Sequence, residues 1–77
     1  MKKYLIILEK TNTGYSSYSP DLPGCVSTGR TREEVEANMR EAVQFHIDGL
    51  KQDGCEVPEP STLRQPNTDC SYVHVAA

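Results

Sequence analysis

The sequence predicts an α+β fold: a single β-β-β-α-β domain in which a small, mainly antiparallel sheet is covered on one face by one helix. Three observations carry that expectation. Tyr4-Leu5-Ile6-Ile7-Leu8 is apolar at every position, as a strand is when both of its faces are covered. Turn-forming residues divide the stretch before Thr31 into strand-sized pieces. Beyond it, apolar residues recur at steps of three and four, the spacing of one helix face.

The first strand is Tyr4 to Leu8, and its apolarity makes it the central one. Lys10-Thr11-Asn12-Thr13-Gly14 is a run of turn formers, after which Tyr15 to Ser19 reads as a second strand with its tyrosines on opposite faces. The two should form a hairpin. Pro20 and Pro23 lack ladder donors and Gly24 accepts a positive φ, so the chain turns sharply over Pro20-Asp21-Leu22-Pro23-Gly24. Cys25 to Thr28 offers a third strand, closed by Gly29.

Thr31 and Glu34 form a capping box, in which the hydroxyl accepts from the Glu34 amide and the carboxylate returns to the Thr31 amide. A helix therefore starts at Arg32. Its apolar stripe is Val35, Met39, Ala42, Val43, His46, Ile47 and Leu50, while Glu33, Glu36, Arg40, Glu41 and Gln44 fall largely outside it. Gly54 after Asp53 is a C-cap signal that ends the helix near Gln52, and Val57-Pro58-Glu59-Pro60 enforces an extended path. Thr62 to Asp69 is a polar connector, and Ser71 to Val75 alternates as a last strand.

The chain has 77 residues, with 8 Lys+Arg against 11 Asp+Glu, giving a net charge of −3. That length holds one domain, residues 1–77, and a domain so short buries only about 60% of its unfolded surface. The acidic balance supplies no basic field for phosphates, so direct DNA binding is not expected. No run reaches the roughly 18 apolar residues of a membrane span, and the run after Met1-Lys2-Lys3 is too short for a secretory signal. Three widely spaced cysteines, Cys25, Cys55 and Cys70, argue against a disulfide framework and for a cytoplasmic setting. One helix covers only one sheet face. The other face would be an exposed apolar patch in a monomer, so a homo-oligomer, dimer or tetramer, is expected.

The string Tyr15-Ser16-Ser17-Tyr18-Ser19-Pro20-Asp21-Leu22-Pro23-Gly24-Cys25, the break at Thr28-Gly29, the capped helix from Thr31 and the segment Pro58-Glu59-Pro60-Ser61 together resemble the HicB family. The resemblance spans nearly the whole chain. It implies a partial RNase H-like fold and the role of antitoxin in a type II toxin–antitoxin pair. The implied partner is a HicA-like toxin, a small basic mRNA-cleaving protein with a catalytic histidine, which the antitoxin occludes. Tyr15, Tyr18 and Asp21 are the partner-contact candidates because they lie in the matched motif. Pro20, Pro23, Gly24, Cys25, Gly29, Thr31 and Glu34 shape the backbone around them. Many relatives carry a C-terminal DNA-binding segment; this sequence reaches Ala77 directly after its last strand, so none is expected.

An RNase H-like topology also invites a nuclease reading, which requires carboxylates clustered on strands to hold two metal ions. The first two strands carry none; Asp21 lies in a turn and Glu9 at a strand end. No catalytic residue, metal or cofactor is therefore expected. Asp21 is more readily a cap of its own turn, bonding a backbone amide, than a partner contact. Cys25 reads as a small buried hydrophobe, and His46 and His74 as packed or interface residues, because no metal-ligand spacing joins them to the cysteines. Glu33, Glu36 and Glu41 read first as a solvated face and only second as an acidic patch for a basic toxin. A stand-alone regulatory domain without a toxin and a residual metal-dependent nuclease are the alternatives.

Overall fold

The computed structural model describes residues 1–76. Its elements are β1 (Lys2–Thr11), β2 (Gly14–Tyr18), β3 (Val26–Gly29), α1 (Arg32–Gln52) and β4 (Cys70–Val75), in the predicted order. The strands form one sheet, β3-β2-β1-β4, in which every neighbouring pair is antiparallel. β1 is flanked on both sides, and Tyr4 to Leu8 are all buried, as the apolar run predicts.

Strand ends are set by ladder partners rather than by polarity. Lys10 and Thr11, read as turn residues, pair with Tyr15 and Gly14, so β1 runs on to a two-residue turn at Asn12-Thr13. Glu9 consequently lies inside the strand, exposed opposite Ser16. Cys25 belongs to the preceding turn, its amide donating to the Leu22 carbonyl, and β3 extends to Gly29 opposite Tyr15. Ser19 falls outside β2, whereas Cys70 joins β4 through its pairing with Ile7. The turn between β2 and β3 has Gly24 at φ 83°, a conformation costly for a residue with a Cβ.

α1 has the bounds its local signals predict. The Thr31 hydroxyl accepts from the Glu34 amide at 3.1 Å, but among the described residues the Glu34 carboxylate makes no return bond, so only half of the capping box forms. Gly54, at φ 72°, lets the chain leave the last turn. Val35, Met39, Val43 and Ile47 are fully buried, while Ala42, His46 and Leu50 lie at the stripe's margin and are half-buried.

Strand alternation sends Tyr4, Ile6, Leu8, Val73 and Val75 under α1, where Leu22 and Cys25 complete the core. Burying each large side chain there contributes about 1.5–3 kcal/mol relative to leaving it in water. Leu5, Ile7, Cys70 and Tyr72 form a smaller cluster on the opposite face. The expectation that this second face lacks cover needs correction, because the chain between α1 and β4 folds back onto it. Arg64 donates its amide to the Tyr72 hydroxyl and its guanidinium to the Cys70 carbonyl. Its guanidinium carbon sits 5.5 Å from the centre of the Tyr72 ring. With that segment in place Leu5 is fully buried within a single chain. What stays uncovered lies nearer β3, where Tyr18 and Val26 face each other across the ladder at 41% and 64% exposure.

Candidate partner-binding surface

The matched turn places its three candidate residues in different surroundings. Tyr15 shares the helix-side face of β2, packs against the main core and borders a shallow polar depression near the start of α1. Tyr18, three residues on, is on the other face, as the expected opposition of the tyrosines requires. Asp21 lies beyond the end of β2. The three do not converge on one site, and Tyr18 is the one whose ring is open to solvent.

Asp21 does not cap its own turn. Backbone bonds close that turn, from the Leu22 amide to the Ser19 carbonyl and from the Cys25 amide to the Leu22 carbonyl. Both carboxylate oxygens instead accept from a distant segment: Oδ2 from the amides of Ser61 and Thr62 at 3.1 Å each, and Oδ1 from their hydroxyls at 3.0 and 2.7 Å. Partial burial pushes the Asp21 carboxyl upward, but the four donors outweigh it and hold the carboxyl below its ordinary range. The Tyr4 hydroxyl donates to the Pro58 carbonyl at 2.6 Å, and Lys2 pairs with Glu59 at 2.7 Å. Pro58 to Thr62 is thus fastened at both ends, which aims Leu63, 77% exposed, and Arg64 beyond it.

The exposed side chains of Tyr18 and Val26 form a small apolar pair, with Glu9 exposed farther along the same face. The register partners of Tyr18 are Val26 on one side and Ile7 on the other, and Ile7 in turn pairs with Cys70. A flat row of this kind, with one aromatic ring and one β-branched side chain in the open, suits protein contact better than a small ligand. The helix carries Glu33 and Glu41 exposed and Glu36 half-buried, and Phe45 protrudes from it with 81% exposure.

Among the described residues no three His, Cys, Asp or Glu side chains come together in a way that could hold a metal ion. Cys25 is buried in the core, and that burial pushes its thiol up, away from the reactive thiolate. His46 is half-buried on α1 and His74 exposed on β4. All three cysteines are unpaired. No described helix is long and apolar enough to cross a membrane.

Val26, Leu63 and Phe45 are exposed hydrophobic residues that lie outside the candidate residues of the matched motif. Val26 could have been found by register, since a strand closing beside Tyr18 must place one of its residues opposite that ring. Phe45 falls between the stripe positions Val43 and His46, and its place off the stripe was the signal.

Comparison with known proteins agrees with this architecture. A family model described as "HicB_like antitoxin of bacterial toxin-antitoxin system" matches residues 4–76. An uncharacterized 14.9 kDa protein of Haemophilus phage HP1 is 44% identical over 80% of the chain, which spans 47% of the phage protein's length. Antitoxin HicB 2 of Photorhabdus laumondii is 35% identical over 78% of the chain, which spans 43% of that protein. The chain thus spans about half the length of these two relatives. Among solved structures, the N-terminal domain of Burkholderia pseudomallei antitoxin HicB superposes with a TM-score of 0.81 at 28% identity, covering 97% of this chain and 99% of that one. A chain of a HicA3 and HicB3 toxin-antitoxin complex gives 0.74 at 26% identity, with 97% and 99% covered.

Proposed function

Because the chain belongs to the HicB-like antitoxin family, we propose that it is a non-catalytic antitoxin that binds and neutralises a small basic mRNA-cleaving toxin of the HicA type. The observation that carries this reading is the match of residues 4–76 to the family, in a fold shared with a chain of a HicA3 and HicB3 complex. Inhibition is by occlusion and acts in the cytoplasm, where the toxin meets mRNA.

The contact centre is the open pair Tyr18 and Val26. An aromatic ring already held by a strand loses little conformational freedom on binding, and desolvating it beside a β-branched neighbour gives apolar contact without unpaired polar groups. Of the three motif residues, Tyr18 touches the toxin and Asp21 acts by holding the 61–64 segment beside it. The net charge of −3 favours approach of a basic partner and makes the association rate fall with salt.

Co-expression with a cognate HicA-like toxin should restore growth that the toxin alone arrests. A tagged chain should retain that toxin on a column at low and moderate salt. Persistent growth arrest, together with no retained toxin, would exclude the reading.

A further inference from the structure

The side of α1 turned away from the sheet carries a surface that toxin binding at Tyr18 and Val26 does not use. Val35, Met39, Val43 and Ile47 are buried on one side of the helix. On the other side Glu34, Ala37, Glu41, Phe45, Asp48 and Gln52 follow one another at steps of three and four, and all are exposed. Phe45, the one phenylalanine of the chain, stands on this ridge at 81% exposure. Tyr18 and Val26 lie on the far face of the sheet, with Ile7, so the two surfaces point in opposite directions.

Three features organise the ridge around the Phe45 ring. Glu41 stands one turn before it and Asp48 one turn after it, and among the described residues neither they nor Glu34 forms an ion pair. Asp48 is also held in place. Gln44, its amide fastened to both backbone groups of Ala76 at 2.9 and 2.7 Å, donates to Asp48 Oδ1 at 3.1 Å. Gly49, one turn beyond Phe45, has nothing within 4 Å of the place a Cβ would take. A glycine inside a helix lowers its stability relative to alanine, yet no positive φ and no packed neighbour requires one at this position. What Gly49 does provide is an open notch beside the exposed ring.

We propose that this ridge docks a basic amphipathic helix of a second protein partner, which the chain can hold while Tyr18 and Val26 hold the toxin. The chemistry of that partner follows from the residues. An apolar side chain packs on Phe45, and the partner's backbone comes close over Gly49, where a Cβ would keep it away. Lysines or arginines to either side meet the unpaired carboxylates of Glu41 and Asp48, and a cation set over the ring adds a cation–π contact. A second copy of the chain is the wrong occupant, because two such ridges face to face bring their own carboxylates together.

The probe is a fluorescent synthetic amphipathic helix of leucine, alanine and lysine, and the readout is anisotropy at moderate salt. The chain should bind it with micromolar affinity and should not bind the same peptide with glutamate in place of lysine. Phe45→Ala and Gly49→Leu should each weaken binding tenfold or more. Both positions are open, so both variants should fold by circular dichroism, and Gly49→Leu should raise the denaturant midpoint. A variant that gains stability and loses the peptide marks a glycine that serves contact. Absence of binding by the wild type, equal binding of the glutamate peptide, or unchanged affinity in either variant overturns the proposal. These arms need no toxin, so their failure is distinct from failure of the antitoxin reading. Displacement of the peptide by purified toxin would give the ridge to the toxin and overturn the proposal as well. A dimer mass in light scattering that Phe45→Ala abolishes would give it to a second copy, with the same consequence.

Discussion

The Asp21 carboxylate holds Thr62 twice, Oδ2 accepting from its amide at 3.1 Å and Oδ1 from its hydroxyl at 2.7 Å. Ser61 is held in the same way. This clamp joins the turn after β2 to the segment that crosses the second sheet face, so the most specific part of the sequence motif organises a surface rather than a catalytic centre.

Asp21→Asn keeps the shape but loses the charge and places an amide donor among donors. Hydrogen bonds to a charged group are worth about 1.5–3 kcal/mol each when buried, and partial exposure reduces that, so a total loss of about 1–3 kcal/mol is expected. Urea melts at neutral pH measure it. The sign with pH follows from the depressed carboxyl: its stabilisation is complete above the ordinary value of 3.8 and is lost as pH falls through the lower folded value. The wild type should therefore lose stability on acidification below about pH 4 more steeply than Asp21→Asn, which lacks this group.

Gly29 packs its Cα against the first turn of α1. A Cβ there would lie 2.5 Å from the Val35 amide nitrogen and 2.8 Å from the Val35 Cα, both backbone atoms that cannot swing aside. Gly29→Ala should cost about 1–3 kcal/mol through overpacking. Gly49, inside α1 with open space at its Cβ position, is the opposite case, and Gly49→Ala should stabilise by about 0.5–1 kcal/mol. Denaturant midpoints of the two variants should move in opposite directions.

Thiol reactivity reports the burial pattern directly. Cys55 is exposed, whereas Cys25 and Cys70 are buried and burial raises the Cys25 thiol further from ionisation. A chromogenic disulfide reagent should titrate one thiol quickly in the native protein and all three in denaturant. Fast reaction of two or more native thiols would contradict the packing of the core turn.

The helix was legible because its ends are written locally: Thr31 and Glu34 at the start and Gly54 after the finish lie within a few residues of what they cap. β1 was legible as central because five consecutive apolar residues need cover on both faces. The Asp21 clamp was not, since forty residues separate it from Ser61 and nothing local marks an aspartate as bonded to a distant segment rather than to its own turn. For the same reason Thr62 to Asp69 reads as a polar connector, although Arg64 within it folds over Tyr72 and Cys70 on the face that holds Leu5. Tyr18 was singled out from the motif, but its exposed neighbour Val26 follows only from the register between β2 and β3.

If Tyr18 and Val26 form the toxin contact, altering them should weaken the complex without unfolding the chain. Both side chains are exposed, so Val26→Asp or Tyr18→Ser should shift stability by about 0.5 kcal/mol or less. Affinity for the toxin, measured by calorimetry, should fall tenfold or more in either variant. Equal affinity in both would move the contact elsewhere on the chain.

The central claim is neutralisation itself, and the direct measurement is cleavage of a defined mRNA by the purified cognate toxin while this chain is titrated in. The account predicts that cleavage falls in proportion to added chain and ceases near equimolar ratio, with a stable complex recovered at that point. Undiminished cleavage at a several-fold excess of folded chain would contradict it.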